Sequence, residues 1–255
     1  MAFKYTVEHE IYEDLASGRV LYNQRGAAAF PVRLASEIFL RCLALLNDND
    51  MADTCTLFDP LCGGGYLLTS LGFLHANKIK MIYASDIDDN AVSLASKNLS
   101  LLQREGLDER IEQIQKLLDL YGKPAHREAL ESAFKLKKHM EQFKARITVS
   151  CFVADATGIN PFMTVDQPVD IVITDLPYGN LAQWSGSQKL QEGPDNSQDT
   201  AVSTLFDNLV NILAKESVAA IVSQEKLKFE HKEFERKSHF KHGKRHIAIY
   251  KRRHG

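Results

Sequence analysis

The segment Thr174-Asp175-Leu176-Pro177-Tyr178-Gly179 follows a run rich in β-branched residues, Val169 to Ile173. A strand that ends in an acid, a proline and an aromatic sets a hydrogen-bond acceptor beside a stacking face. That pairing suits a flat ring that carries an amine. Three other segments place an acid where a predicted strand ends. Asp59 opens Asp59-Pro60-Leu61-Cys62-Gly63-Gly64-Gly65, whose glycines let the backbone turn sharply and approach a ligand closely. The spacing Gly63-x-Gly65-x-x-Leu68 lacks the third glycine of the dinucleotide fingerprint, so a nicotinamide-linked dehydrogenase is the weakest reading. An acid at this loop repels phosphate and favours a cationic or zwitterionic ligand.

Asp86, in Ala84-Ser85-Asp86-Ile87-Asp88, is placed to accept the two hydroxyls of a ribose. It could also cap a helix, a role that Asp88 and Asp89 already fill. Asp155, in Val153-Ala154-Asp155-Ala156, reads either as an acceptor for the exocyclic amine of adenine or as a turn residue. Asn160-Pro161-Phe162 looks like a second acceptor motif, but it follows Gly158 with no strand leading into it and reads as a turn.

Something must hold these strand ends in line. Short β-branched runs at residues 55–59, 80–86, 148–155, 170–175 and 217–223 alternate with helical periodicity at 32–47, 66–76, 89–105, 107–119, 126–145 and 200–214. This alternation predicts an α/β fold with a parallel sheet covered on both faces. Asp88 and Asp89 punctuate the start of the third helix, and Gly106 its end. About 60 residues separate the second and third strands, more than one crossover helix requires. Residues 107–146 therefore read as a helical insertion broken at Gly122-Lys123-Pro124, and 236–240 with 245–251 as a closing hairpin around His242-Gly243. The polar stretch 182–199 has the placement of a substrate-gripping loop.

The chain has 255 residues and can bury a full core; one domain spanning 1–255 is expected, with an N-terminal extension 1–30 and the insertion 107–146. No run reaches the roughly 18 apolar residues of a membrane span, and the first residues do not follow a signal-peptide pattern, so a soluble, cytoplasmic protein is expected. Cys42, Cys55, Cys62 and Cys151 form no CxxC pair, which suggests buried thiols and no metal. The net charge of −2 hides an asymmetry: residues 226–255 carry eleven Lys or Arg against three Glu, and five of the nine histidines. Lys135, Lys137, Lys138, Lys144 and Arg146, interleaved with Phe134 and Phe143, make a second basic stretch. Both are candidate phosphate grips or solvated faces.

Together, the acidic glycine loop, the acids ending strands two and three and Asp-Leu-Pro-Tyr at strand four resemble the S-adenosylmethionine-dependent N-methyltransferases. Phe30-Pro31-Val32-Arg33-Leu34-Ala35-Ser36-Glu37, the insertion and Asp-Leu-Pro-Tyr-Gly narrow this to a resemblance to the AviRa family, avilamycin-resistance guanine-N2 methyltransferases of 23S ribosomal RNA. Leu176 stands where such motifs usually carry a first proline, and Tyr66 where Thr or Ser is common.

The resemblance implies a Rossmann-like, doubly wound seven-stranded sheet, mostly parallel with an antiparallel last strand. It implies S-adenosylmethionine as methyl donor and ribosomal RNA, most readily 23S, as partner, in rRNA processing. By the same resemblance Arg33, Asp59, Pro60, Gly63, Gly65, Asp86, Ile87, Asp155 and Ala156 would border the cofactor, with Arg33 available to its carboxylate or simply a surface residue at a helix start. Asp175, Leu176, Pro177 and Tyr178 would hold the base: the Asp175 carboxylate and Leu176 carbonyl accept the amine hydrogens, and Tyr178 stacks for about 1–3 kcal/mol. A DNA or protein-glutamine N-methyltransferase, or a non-catalytic RNA-binding module of the same fold, are the alternatives.

Overall fold

The computed structural model describes residues 3–6, 12–16, 18–23, 30–47, 54–143, 146–177, 198–227 and 229–253. In chain order these form α1 (Val32–Asn47), β1 (Cys55–Asp59), α2 (Tyr66–Leu74), β2 (Ile79–Asp86), α3 (Asp89–Ser100), α4 (Arg104–Tyr121), α5 (Pro124–Met140), β3 (Thr148–Val153), β4 (Val169–Asp175), α6 (Gln198–Val210), β5 (Leu213–Ser223), β6 (Phe234–His242) and β7 (Arg245–Arg252). Seven strands make one sheet in the order β3-β2-β1-β4-β5-β7-β6. The pairs from β3 to β5 are parallel, and β7 runs antiparallel to both β5 and β6.

Alternate residues of each strand feed two cores, as a two-residue repeat requires. Leu57, Ile171, Ile173, Val218, Ala220, Val222, Ile247 and Ile249 join the core built with α1 to α5. Their neighbours Phe58, Val172, Ala219, Ile221, Ala248 and Tyr250 join a second core built with α6 and the β3–β4 connection. Burial on both faces explains why β1 and β4 read as continuous apolar runs. Phe162 of the discarded second motif belongs to this core, edge-on to Phe58 with ring centroids 5.0 Å apart.

The expected break between the insertion helices is present: Gly122 adopts φ 61 at the end of α4, and Pro124 begins α5. Gly106 does not end α3. That helix stops at Ser100, and Gly106 lies in the first turn of α4, where a Cβ would sit 2.2 Å from the Ser100 carbonyl oxygen. The glycine answers a close approach between two helices, a need that local sequence does not announce. β3 ends at Val153, two residues short of Asp155, and β5 begins at Leu213, inside the expected sixth helix.

Candidate functional site

The C-terminal ends of β1, β2 and β4 bring Asp59, Asp86 and Asp175 to one edge of the sheet, where open α/β sheets bind ligands. Asp59 is buried, 3% exposed, and its Oδ1 accepts from Thr174 Oγ1 at 2.7 Å and from the Leu61 N–H at 3.1 Å. Burial pushes its carboxyl up to about 7, and the nearby Asp86 and Asp175 charges add to the rise against those two hydrogen bonds. An acid so placed favours a cation in the space beside it.

That space is a cleft lined by Tyr22, Phe30, Asp59, the loop from Leu61 to Gly64, Asn98 and Asp175, with further apolar wall from Tyr66, Leu67 and Leu94. The loop is tied down from both sides. The Gly63 N–H donates to Asp86 Oδ2 at 2.9 Å, and the Gly64 carbonyl accepts from Asn98 Nδ2 at 2.8 Å. Gly65 enters α2 at φ 70, and a Cβ there would meet Ala95 Cα at 2.9 Å. These glycines let the loop turn and lie flat against α3.

Asp86 also accepts from the Asp88 N–H at 3.1 Å, and Asp88, as expected, caps α3 through the Asn90 N–H at 2.9 Å. Beside Asp86, Ile87 is 41% exposed and Val153, on the next strand, 51% exposed. Two uncovered aliphatic side chains at adjacent strand ends offer an apolar seat for a ring. Asp155 takes the turn geometry that the sequence left open: its Oδ1 accepts from the Thr157 N–H at 3.0 Å and Thr157 Oγ1 at 2.8 Å. Ala156 is buried in the second core, and its carbonyl accepts from Asn208.

Leu176 explains its departure from the usual proline. Its N–H donates to the Val222 carbonyl at 2.9 Å, extending the β4–β5 ladder, and its side chain is fully buried in the second core. Proline has no N–H to give that bond. Pro177 is exposed, while Tyr178 and the 182–197 part of the expected gripping loop lie outside the described residues.

Arg33 is not brought to the cleft. Its Nε and Nη2 donate to the Thr6 carbonyl at 3.0 and 2.7 Å, and its guanidinium lies over Phe3, 4.3 Å from the ring centroid. Arg245, from the closing hairpin, stands at the rim instead, its Nε 4.0 Å from Asp175 Oδ2 and its guanidinium 5.3 Å from the Phe30 ring centroid. Two of the three lysines that the basic stretch places in α5 are also spoken for, since Lys137 pairs with Asp108 at 2.5 Å and Lys135 with Asp14 at 3.6 Å.

Sequence reading missed Tyr22 and Asn98. Asn98 is fully buried, accepts from the Tyr22 N–H at 2.8 Å and donates to the Tyr22 carbonyl at 3.0 Å, so it joins the N-terminal segment to the glycine loop. An amide on the apolar face of α3 was the available signal. Among the described residues no cluster of His, Cys, Asp or Glu could hold a metal, and no helix is long and apolar enough to cross a membrane.

Comparison with known proteins places this geometry. Residues 1–245 match the family model for rRNA methyltransferase AviRa. A relative from Streptomyces viridochromogenes, 23S rRNA (guanine(2535)-N(1))-methyltransferase, is 35% identical over 226 residues, 88% of this chain and 85% of that protein. The activity named for that relative is at guanine N1, not at the N2 that the resemblance implied. A solved structure of rRNA methyltransferase AviRa from the same organism superposes with a TM-score of 0.85 at 33% identity, covering 98% of this chain and 96% of that one. A putative methyltransferase from Escherichia coli, yhhF, shares the fold at a TM-score of 0.51 and 14% identity, covering 92% of each chain. The chain belongs to the AviRa family of rRNA methyltransferases.

Proposed function

We propose that this protein transfers the methyl group of S-adenosylmethionine to N1 of a guanine in 23S ribosomal RNA. The observation that carries the reading is the convergence of Asp59, Asp86 and Asp175 on one strand edge around a glycine-walled cleft, in a chain 35% identical to an enzyme named for that reaction. When bound, S-adenosylmethionine supplies an electrophilic methyl group on a positively charged sulfur.

The residues present fit such a ligand. Asp59 offers a buried negative charge to a cationic group, Gly63 and Gly64 let the chain pass close to it, and Asp86 accepts from ribose hydroxyls. Ile87 and Val153 flank an adenine ring, and Asp155 accepts its amine through the oxygen that its turn leaves unused. On the acceptor side, Asp175 takes the N1 proton of guanine and Pro177 stiffens the chain that leads to Tyr178, which stacks on the base. The guanine edge carries N1–H and the N2 amine side by side, so the same acceptor faces both atoms. In folded RNA the base must leave its stack, at a cost of a few kcal/mol.

Replacing the target guanine by inosine separates N1 from N2, because inosine keeps N1–H and lacks the N2 amine. Methylation of the inosine RNA, mapped to N1 by mass spectrometry, is the expected result. Loss of methylation on inosine, with an N2 product on guanine, sinks the N1 assignment; label only on DNA or on a glutamine-bearing protein sinks the RNA reading.

A further inference from the structure

Arg245 opens β7, which alone among the described strands runs against the other six. That reversal sets the first residues of β7 beside the last of β5: His246 pairs with Ser223 and Ile247 with Val222, while Val222 pairs across with Asp175 of β4. The basic turn of the hairpin therefore reaches the edge where the acids converge. At 4.0 Å, Arg245 Nε and Asp175 Oδ2 form a charge pair and not a hydrogen bond. The two side chains are 24% and 22% exposed, at the mouth of the cleft that Phe30 helps to line.

A carboxylate beside a guanidinium presents an acceptor next to a donor. Guanine presents the complement, O6 as acceptor next to N1–H as donor, whereas adenine carries an N–H₂ donor where guanine has O6. We infer that Arg245 donates to O6 of the target guanine while Asp175 accepts from N1, so that the pair selects guanine and Arg245 takes part in catalysis; this rests on the guanine reading above. In the transfer the N1–methyl bond forms as the methyl–sulfur bond breaks, the N1 proton passes to the Asp175 carboxylate, and the sulfur keeps the bonding pair as a neutral thioether. As the N1–H bond weakens, electron density moves onto O6, where a positioned cation stabilises it.

The test compares wild type, Arg245→Gln and Arg245→Lys on a 23S rRNA fragment carrying guanosine, 6-thioguanosine or adenosine at the mapped target. We expect Arg245→Gln to lower kcat by about 100–1000-fold, the range of a lost oxyanion donor, with KM and RNA Kd within about threefold, and Arg245→Lys to recover part of the rate. Sulfur accepts hydrogen bonds weakly, so the thio base should slow wild type by a similar factor and slow Arg245→Gln little further. The preference in Kd for guanosine over adenosine should shrink in Arg245→Gln. A raised KM with kcat intact marks a phosphate grip and overturns the inference, as do thio and Gln effects that multiply. If Arg245→Gln fails to fold, the thio effect on wild type against Arg245→Lys still decides. Failure of the guanine reading appears separately, in wild type alone, as a methyl group mapped to another base.

Discussion

At the scale of single residues, the site depends on an acid kept where an acid is costly. Asp59 is buried among apolar neighbours and next to two other carboxylates, and its folded-state value of about 7 stands well above the ordinary 3.8. Between those values the folded chain binds a proton that the unfolded chain has lost. The stability this proton confers is fully present below about pH 4 and is lost as pH rises through about 7. Asp59→Asn cannot ionise and keeps an oxygen for Thr174 and Leu61, so without ligand it should melt several degrees above wild type at pH 8 and near it at pH 4. The same change removes the charge that faces a cationic ligand, so S-adenosylmethionine should bind at least tenfold more weakly, and wild-type affinity should fall as pH drops below about 7. Thermal melts at both pH values and calorimetric titration check both halves; equal melting points at pH 8 would show that Asp59 carries no buried-charge penalty.

At the scale of elements, the motif at residues 174–177 is the end of β4 before it is a site. Asp175 is aimed by the register of β4 against β5, and Leu176 carries that register one residue further through its bond to Val222. Leu176→Pro, which restores the commoner motif, should therefore destabilise the protein by about 2–4 kcal/mol, from one lost ladder bond and a vacated place in the second core. Chemical denaturation measures it, and an unchanged midpoint would mean that the sheet does not hold the motif. The periodicity of β1, β4 and α1 made these elements legible from sequence, since burial on two faces or one writes directly into residue type. Asp59, Asp86 and Asp175 were legible because each ends such a run. Of the two readings open for Arg33, the contact with a cofactor is not formed, and the sequence reading passed over Tyr22, Asn98 and Arg245, which the fold does bring to the cleft, because each reaches its position through a contact distant in sequence. Gly106 shows the same limit: it reads locally as a helix stop, while its role is set by the Ser100 carbonyl of the preceding helix.

At the scale of the whole molecule, charge is sorted by strand direction. The chain outside residues 226–255 is acidic, and its acids gather where β1, β2 and β4 end. β7, by running the opposite way, returns the basic hairpin turn to that same edge, with Lys241 and Lys244 exposed on either side of Gly243. The lysines of α5 differ, because Lys135 and Lys137 already answer Asp14 and Asp108 within the fold. A phosphate grip made of unengaged lysines releases counterions on binding, so each lost contact lowers the salt slope of RNA affinity by about one. Lys241→Gln with Lys244→Gln should therefore lower the slope of log Kd against log salt by about two and weaken binding several-fold at low ionic strength. Lys135→Gln with Lys137→Gln should leave the slope within about half a unit of wild type while lowering the melting temperature, because it strips the cationic partner from a buried Asp14 that keeps its hydrogen bond from Ser132. Filter binding of a 23S rRNA fragment across a salt series reads all three proteins. If the α5 pair carries the larger slope change, the RNA lies across the insertion and not along the hairpin, and the reversal of β7 serves the sheet alone.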